Sequence, residues 1–166
     1  MQIPDDLPAP STEHLRLVLA VDLGLLAIAE RIRQHWTSHA ASVGLSTAQV
    51  KVLLLMEPGG AVPMRSLAAR LDYDASNFST LVDRLERRGA VERRADPADR
   101  RVRALALTPE GERLREGFWR GLIEDPGPLA PLEPGDLRAL AGLLAALGVS
   151  PDAGVTAKRQ RHSADA

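Results

Sequence analysis

The 166-residue chain contains no cysteine, which excludes disulfide frameworks, thiol redox sensing, cysteine nucleophiles and Cys-ligated zinc together. Aromatic residues make up only 3%, too few for a fold whose sheets are packed by rings. No uncharged apolar run reaches the ~18 residues a membrane span requires, the longest being residues 139–151. Asp5 and Asp6 stand where a secretory signal would carry positive charge, so the expected location is the cytoplasm, with no membrane partner. Lysine is nearly missing, with Lys51 and Lys158 alone among the basic residues otherwise supplied by arginine, and proline is absent between Pro10 and Pro58. Catalytic signatures are missing as well. There is no serine elbow, no glycine-rich phosphate loop followed by Lys, and no His-Glu-x-x-His, so neither an enzyme nor a cofactor is expected.

What is present is 45% hydrophobic residue, dominated by Leu and Ala, enough for one soluble and mostly helical domain. The net charge of -1 is unevenly spread. Between Arg84 and Arg103 stand eight Arg against the four acids Glu86, Glu92, Asp96 and Asp99, so that one segment is strongly basic and suited to an anion.

Residues 1–11 hold three prolines and are expected to form a flexible arm; residues 151–166, polar and ending near Lys158-Arg159-Gln160-Arg161-His162, are expected to be a disordered tail. Between them, residues 13–41 place Leu15, Val18, Leu19, Leu25, Leu26, Ala29, Ile32 and Trp36 at helical spacing. At 1.5 Å per residue that helix is ~40 Å long, more than a small lobe needs for itself, and implies packing against a second copy. Ser46 and Gln49 form a capping box that opens a second helix, and Met64 to Leu71 form a third. Asp74 caps a fourth, Ala75 to Arg88, with Phe78, Leu81, Val82 and Leu85 inward and Gly89 as its stop. The period then changes to that of two strands, 91–94 and 101–107, joined by Asp96-Pro97-Ala98-Asp99. Thr108-Pro109 starts a fifth helix ending near Glu124, and Leu137, Leu140, Leu144 and Leu147 mark a sixth.

A short helix, a tight turn, a helix with a polar outer face and an Arg-rich hairpin form the layout of a winged helix-turn-helix. A helix fits the major groove of DNA and small polar side chains near its start reach base edges, while an Arg-bearing hairpin reaches the minor groove. Ser76, Asn77, Ser79, Thr80 and Arg84 lie on the exposed side of the fourth helix. The fold class expected is mostly α (α+β), a winged helix-turn-helix over residues 46–107 with flanking dimerisation helices at 12–42 and 109–147 in one domain, 12–147. A winged helix can also serve as a protein-interaction or dimerisation module that does not read DNA, and salt-dependent binding to duplex DNA separates the two.

The stretches Leu67-Ala68-Ala69-Arg70-Leu71, Ser79 to Gly89, Asp96-Pro97-Ala98-Asp99-Arg100-Arg101 and Leu107-Thr108-Pro109-Glu110-Gly111 resemble the MarR family of bacterial transcriptional regulators, over roughly residues 13–147. The Asp-x-Arg of the wing followed by Leu-Thr-x-x-Gly is the specific part. The resemblance implies that Arg101, beside Arg100, enters the minor groove while Asp99 holds the wing tip, and that Ser76, Asn77, Ser79, Thr80 and Arg84 face the major groove. It implies a homodimer held by the first, fifth and sixth helices on a pseudo-palindromic operator in double-stranded DNA, and a repressor released by a small ligand. Phe78 departs from the small aliphatic residues common in that family and is expected in the core.

His35, Trp36 and His39 cluster near the end of the first helix, the two His four apart on one face. The family's phenolic or aromatic ligands bind near this region, so the three form a candidate ligand site; equally, Trp36 can be core and the His pair surface. No acid or cysteine near them in sequence completes a metal tetrahedron, so no metal is expected there.

Overall fold

The structure, a computed structural model, describes residues 12–95 and 103–149. The arm 1–11, the hairpin tip 96–102 with Asp99, Arg100 and Arg101, and the tail 151–166 therefore lie outside the described residues.

Six helices and a three-stranded sheet follow in the order α1 (Thr12–Ser42), α2 (Thr47–Leu54), β1 (Ala61–Pro63), α3 (Met64–Arg70), α4 (Ala75–Arg87), β2 (Val91–Ala95), β3 (Arg103–Leu107), α5 (Pro109–Glu124) and α6 (Pro134–Ala146), with a 3-10 turn at Gly127–Leu129. The local signals explain the starts. Ser46 and Gln49 close the capping box, the Ser46 hydroxyl accepting the Gln49 N–H at 3.3 Å and the Gln49 side chain accepting the Ser46 N–H at 2.9 Å. Between α3 and α4 the chain turns through Asp72 at φ 56°, a left-handed conformation that Asp tolerates because its short carboxylate can satisfy nearby backbone. The Tyr73 N–H then closes back on the Ala68 carbonyl at 2.9 Å.

The winged lobe surrounds a core in which Phe78, Phe118, Leu53, Met56, Leu67, Leu85 and Leu105 are fully buried. Phe78 is thus a packing residue, as its size suggested. The sheet is antiparallel in the order β1-β3-β2, with Val62 opposite Leu105 and Val91 opposite Leu107. β1 adds a strand beyond the expected hairpin. It is three residues long and ends in Pro63, so it lacks the alternation that marks a strand, and Pro is tolerated because β1 is an edge. Its pairing makes β3 the central strand, and Ala104 and Ala106 are buried along with Leu105 and Leu107 where alternation predicts an exposed face.

Outside this lobe the packing is one-sided. The carboxy-terminal half of α1 meets α2, α5 and the 3-10 turn, whereas Leu15, Leu19, Leu23 and Leu26 stay exposed. No residue of α6 is buried.

Candidate nucleic-acid interface

α4 is held at its start by one carboxylate. Asp74 accepts the backbone N–H of Asn77 at 2.8 Å and of Ser76 at 3.0 Å, the Ser76 hydroxyl at 2.9 Å, and the Asn77 side-chain amide. The Asn77 N–H, then the Ser76 hydroxyl and the Asn77 amide, hold its carboxyl below the usual carboxylate range. A carboxylate at a helix start also faces the positive end of the helix dipole. Because the folded pKa is depressed, the stabilisation is present at neutral pH and is lost as pH falls through the lowered pKa, when the carboxylate protonates. Asp74→Ala is accordingly expected to melt at a lower temperature than the parent at neutral pH, with the gap closing in acid below the ordinary carboxylate range. Parallel thermal melts across pH check this, and a gap independent of pH would refute the charged cap.

The cap shapes the exposed face of α4. Ser76, Asn77, Thr80 and Arg84 are exposed and Ser79 is half-buried, as the helical period requires once Phe78, Leu81, Val82 and Leu85 turn inward. In this conformation the Ser76 and Asn77 donors are turned onto Asp74, and the Thr80 hydroxyl donates to the Ser76 carbonyl at 3.2 Å. Arg84 makes no ion pair among the described residues, which leaves its five donors free on the outer face.

The arginine-rich segment is not one uniform patch. Arg93 is half-buried between Asp83 and Glu86, donating to Glu86 at 2.6 Å, and so ties β2 to α4. Arg88 donates to the Val43 carbonyl at 2.9 Å and closes the end of α4 onto the turn after α1. Arg94 pairs with Glu92 on its own strand. Among the described arginines of this segment, Arg84, Arg87 and Arg103 keep exposed positions without a carboxylate partner. Composition counts all of these as anion-binding charge; the fold assigns Arg93 to tying β2 to α4 and Arg88 to closing the end of α4 onto the turn after α1.

The motif after the wing forms the joint between that lobe and α5. The Thr108 hydroxyl donates to the Gly89 carbonyl and accepts the Gly111 N–H at 3.1 Å, and the Thr108 N–H donates to the Ala90 carbonyl at 3.2 Å. A Cβ on Gly111 would stand 2.0 Å from that same Ala90 oxygen, so the first turn of α5 rests directly on backbone.

At the far end of α1 the three candidate ligand residues separate. Trp36 is half-buried and packs edge-to-face on the buried Phe118 with ring centroids 5.4 Å apart, against the core. His35 and His39 stack edge-to-face at 4.5 Å and face the end of α5, where Asp125 lies 3.6 Å from His35 Nδ1 and 3.5 Å from His39 Nε2. The acid absent from their sequence neighbourhood is thus supplied by the fold. Only proximity to a helix breaker, Asp125-Pro126-Gly127, marked it in the sequence.

A sequence model of the MarR family matches residues 43–102, from the turn after α1 to the residue before β3. An uncharacterised HTH-type transcriptional regulator of Bacillus subtilis, YsmB, is 30% identical over 121 residues, covering 69% of this chain and 83% of its own. The chain belongs to the MarR family. The HTH-type transcriptional repressor MdtR of the same organism is 29% identical over 97 residues, 58% of this chain, and the match spans 63% of MdtR's own length. Among solved structures, the MarR-type fold is shared with the transcriptional repressor CouR bound to a 23-mer DNA duplex, at TM-score 0.64 and 29% identity over 75% of this chain and 89% of that one. CouR from Rhodococcus jostii RHA1 bound to p-coumaroyl-CoA gives TM-score 0.64 and 28% identity over 78% of this chain and 93% of that one. Among the described residues no helix is long and apolar enough to cross a membrane.

Proposed function

We propose that the chain is a homodimeric, cytoplasmic repressor that reads a pseudo-palindromic operator in double-stranded DNA and is released by a small molecule. The observation that carries this is the outer face of α4. Ser76, Asn77, Thr80 and Arg84 are polar and exposed at the start of a capped helix, beside a hairpin whose angle is fixed by Arg93. A helix so presented can enter a major groove, and Arg84 can reach a base edge or phosphate from it. Asp99, Arg100 and Arg101 belong to the wing tip in this reading, with Arg101 in the minor groove, where narrow A·T-rich stretches attract Arg. Binding, not catalysis, is the task of every residue named. Release works as a population shift: a ligand at the junction of α1 with the end of α5 favours a spacing of recognition helices that no longer matches adjacent grooves. Of the three candidate ligand residues His35, Trp36 and His39, the packing of Trp36 on Phe118 leaves recognition of an aromatic or phenolic molecule to the two imidazoles.

The test compares Arg84→Ala, Arg101→Ala and Arg94→Ala on the duplex upstream of the protein's own gene and on a scrambled duplex, at two salt concentrations. Arg84→Ala and Arg101→Ala are each expected to weaken the specific duplex by ~1 to 3 kcal/mol, the range of a good specific contact. Arg94, already paired with Glu92, should matter little on either duplex. Equal small losses for all three variants on both duplexes would mean a charged surface only. Absence of salt-dependent duplex binding in the parent would favour a protein-interaction module.

A further inference from the structure

We propose that His35, His39 and Asp125 form a binding site for a divalent cation of the zinc class, joining α1 to the end of α5. The three offer one ligand atom each, two imidazole nitrogens and a carboxylate oxygen, all within 4.8 Å of one another. The two His come from one helix face by their four-residue spacing, and their side chains are only 13% and 15% exposed. Asp125 ends α5 in an extended conformation, and one of its oxygens, Oδ1, accepts the Gly127 N–H at 3.3 Å. That contact turns Oδ2 toward both rings.

The spacing favours ligands over hydrogen bonds. Nδ1 of His35 and Nε2 of His39 stand 3.6 and 3.5 Å from Oδ2, beyond the ~2.7 to 3.2 Å of an N–H···O bond. Around a tetrahedral ion with metal–ligand bonds of about 2.0 to 2.1 Å, neighbouring ligand atoms lie about 3.3 to 3.4 Å apart. The two nitrogen–oxygen separations are within a few tenths of an ångström of that edge, and the two ring nitrogens, within 4.8 Å of each other, are brought to it by rotation of the imidazoles about their side-chain bonds.

The surroundings are built to hold the rings in place. A Cβ on Gly127 would lie 2.7 Å from His35 Nε2, and one on Gly121 would lie 2.7 Å from His39 Nδ1. Each imidazole therefore rests against backbone that only glycine exposes. His35 Nε2 is buried and has no hydrogen-bond partner, so the polar chemistry of that ring has its outlet at Nδ1, on the Asp125 side. Asp125 is 67% exposed, which gives an ion a path from solvent and leaves room for water in a fourth position. Two imidazoles and one carboxylate, in a chain without thiols, suit Zn²⁺, and Co²⁺ as its spectroscopic substitute. The bound ion would fasten α1 to the α5–α6 connection, and the site stands on these three side chains without requiring the DNA-binding reading.

The test uses the full-length, untagged, chelator-treated protein. Titration with CoCl₂ should give visible d–d bands of a four- or five-coordinate ion that saturate at one ion per chain and disappear on adding ZnCl₂. Zinc should also raise the melting temperature, because it binds the folded chain. Asp125→Asn keeps the shape of an exposed side chain and the acceptor for Gly127 N–H, so folding is unaffected and is verified by circular dichroism. It should weaken zinc by about tenfold or more, as should His39→Gln. Absence of stoichiometric zinc binding would overturn the assignment. So would unchanged affinity in both variants, which would place the ion at other histidines such as His14 or His162.

Discussion

Gly111→Ala is expected to destabilise the protein by about 3 kcal/mol, at the upper end of what overpacking a tight site costs. The change looks favourable by helix propensity, since Ala in a helix is better than Gly by about 1 kcal/mol. Position decides against it. The added methyl would meet the Ala90 carbonyl oxygen at 2.0 Å, its carbon at 3.0 Å and the Leu107 side chain at 3.1 Å. The first two are backbone atoms at the junction of α4 with β2, and the Ala90 carbonyl already accepts from Thr108. They can yield only if α5 lifts off the winged lobe, which would break the Thr108 contacts with the Gly89 and Ala90 carbonyls and loosen Phe118 and Leu114 from the core. At about 2 to 4 °C per kcal/mol for a chain of this size, the melting temperature should fall by roughly 6 to 12 °C. Chemical and thermal denaturation read this directly. A variant as stable as the parent would show that α5 does not rest on Ala90.

That joint illustrates what was legible in the sequence. Thr108-Pro109 announces a helix start because capping is local: the hydroxyl satisfies an N–H three residues on, and the same holds for Ser46 and Asp74. The inward set Phe78, Leu81, Val82 and Leu85 is legible because helical period is local too, and with it the outward face of α4. The Gly111 requirement is not, since the atom it must clear belongs to Ala90 on another element. The arginines divide in the same way. Sequence counts Arg88 and Arg93 with the rest, but whether a guanidinium is free depends on what the fold sets beside it, here the Val43 carbonyl for the first and Asp83 with Glu86 for the second. His35 and His39 were recognisable as a pair by spacing along α1. Their third partner comes from the end of α5, and Trp36, adjacent in sequence, turns away to Phe118 because neighbouring helix positions do not share a face. β1 is not legible in the sequence because three residues ending in proline carry no period at all.

Leu143→Glu combined with Leu147→Glu is expected to convert the protein from a dimer to a 17.9 kDa monomer at micromolar concentration. Both side chains are apolar and open to solvent in the single chain, at 66% and 71% exposure, on or directly after a helix that buries none of its residues. Leu15, Leu19, Leu23 and Leu26 of α1 present a second uncovered apolar stripe. Covering a leucine fully is worth about 1.5 to 3 kcal/mol, so leaving both stripes in water gives up a large stabilisation that a second copy can recover. In a two-fold dimer the same patch is used by both partners, and each substitution therefore enters the interface twice. Four carboxylates would then stand in an apolar contact without cationic partners, and burying unpaired charge costs far more than the lost leucine area. The winged lobe should be untouched, because Leu143 and Leu147 are not among its core residues. Light scattering reads the mass, and operator titration reads the consequence. A monomer engages one half-site only, so specific affinity should fall steeply while weak salt-dependent binding to any duplex persists. A double variant that remains dimeric would place the contact on other residues and remove α6 from the assembly.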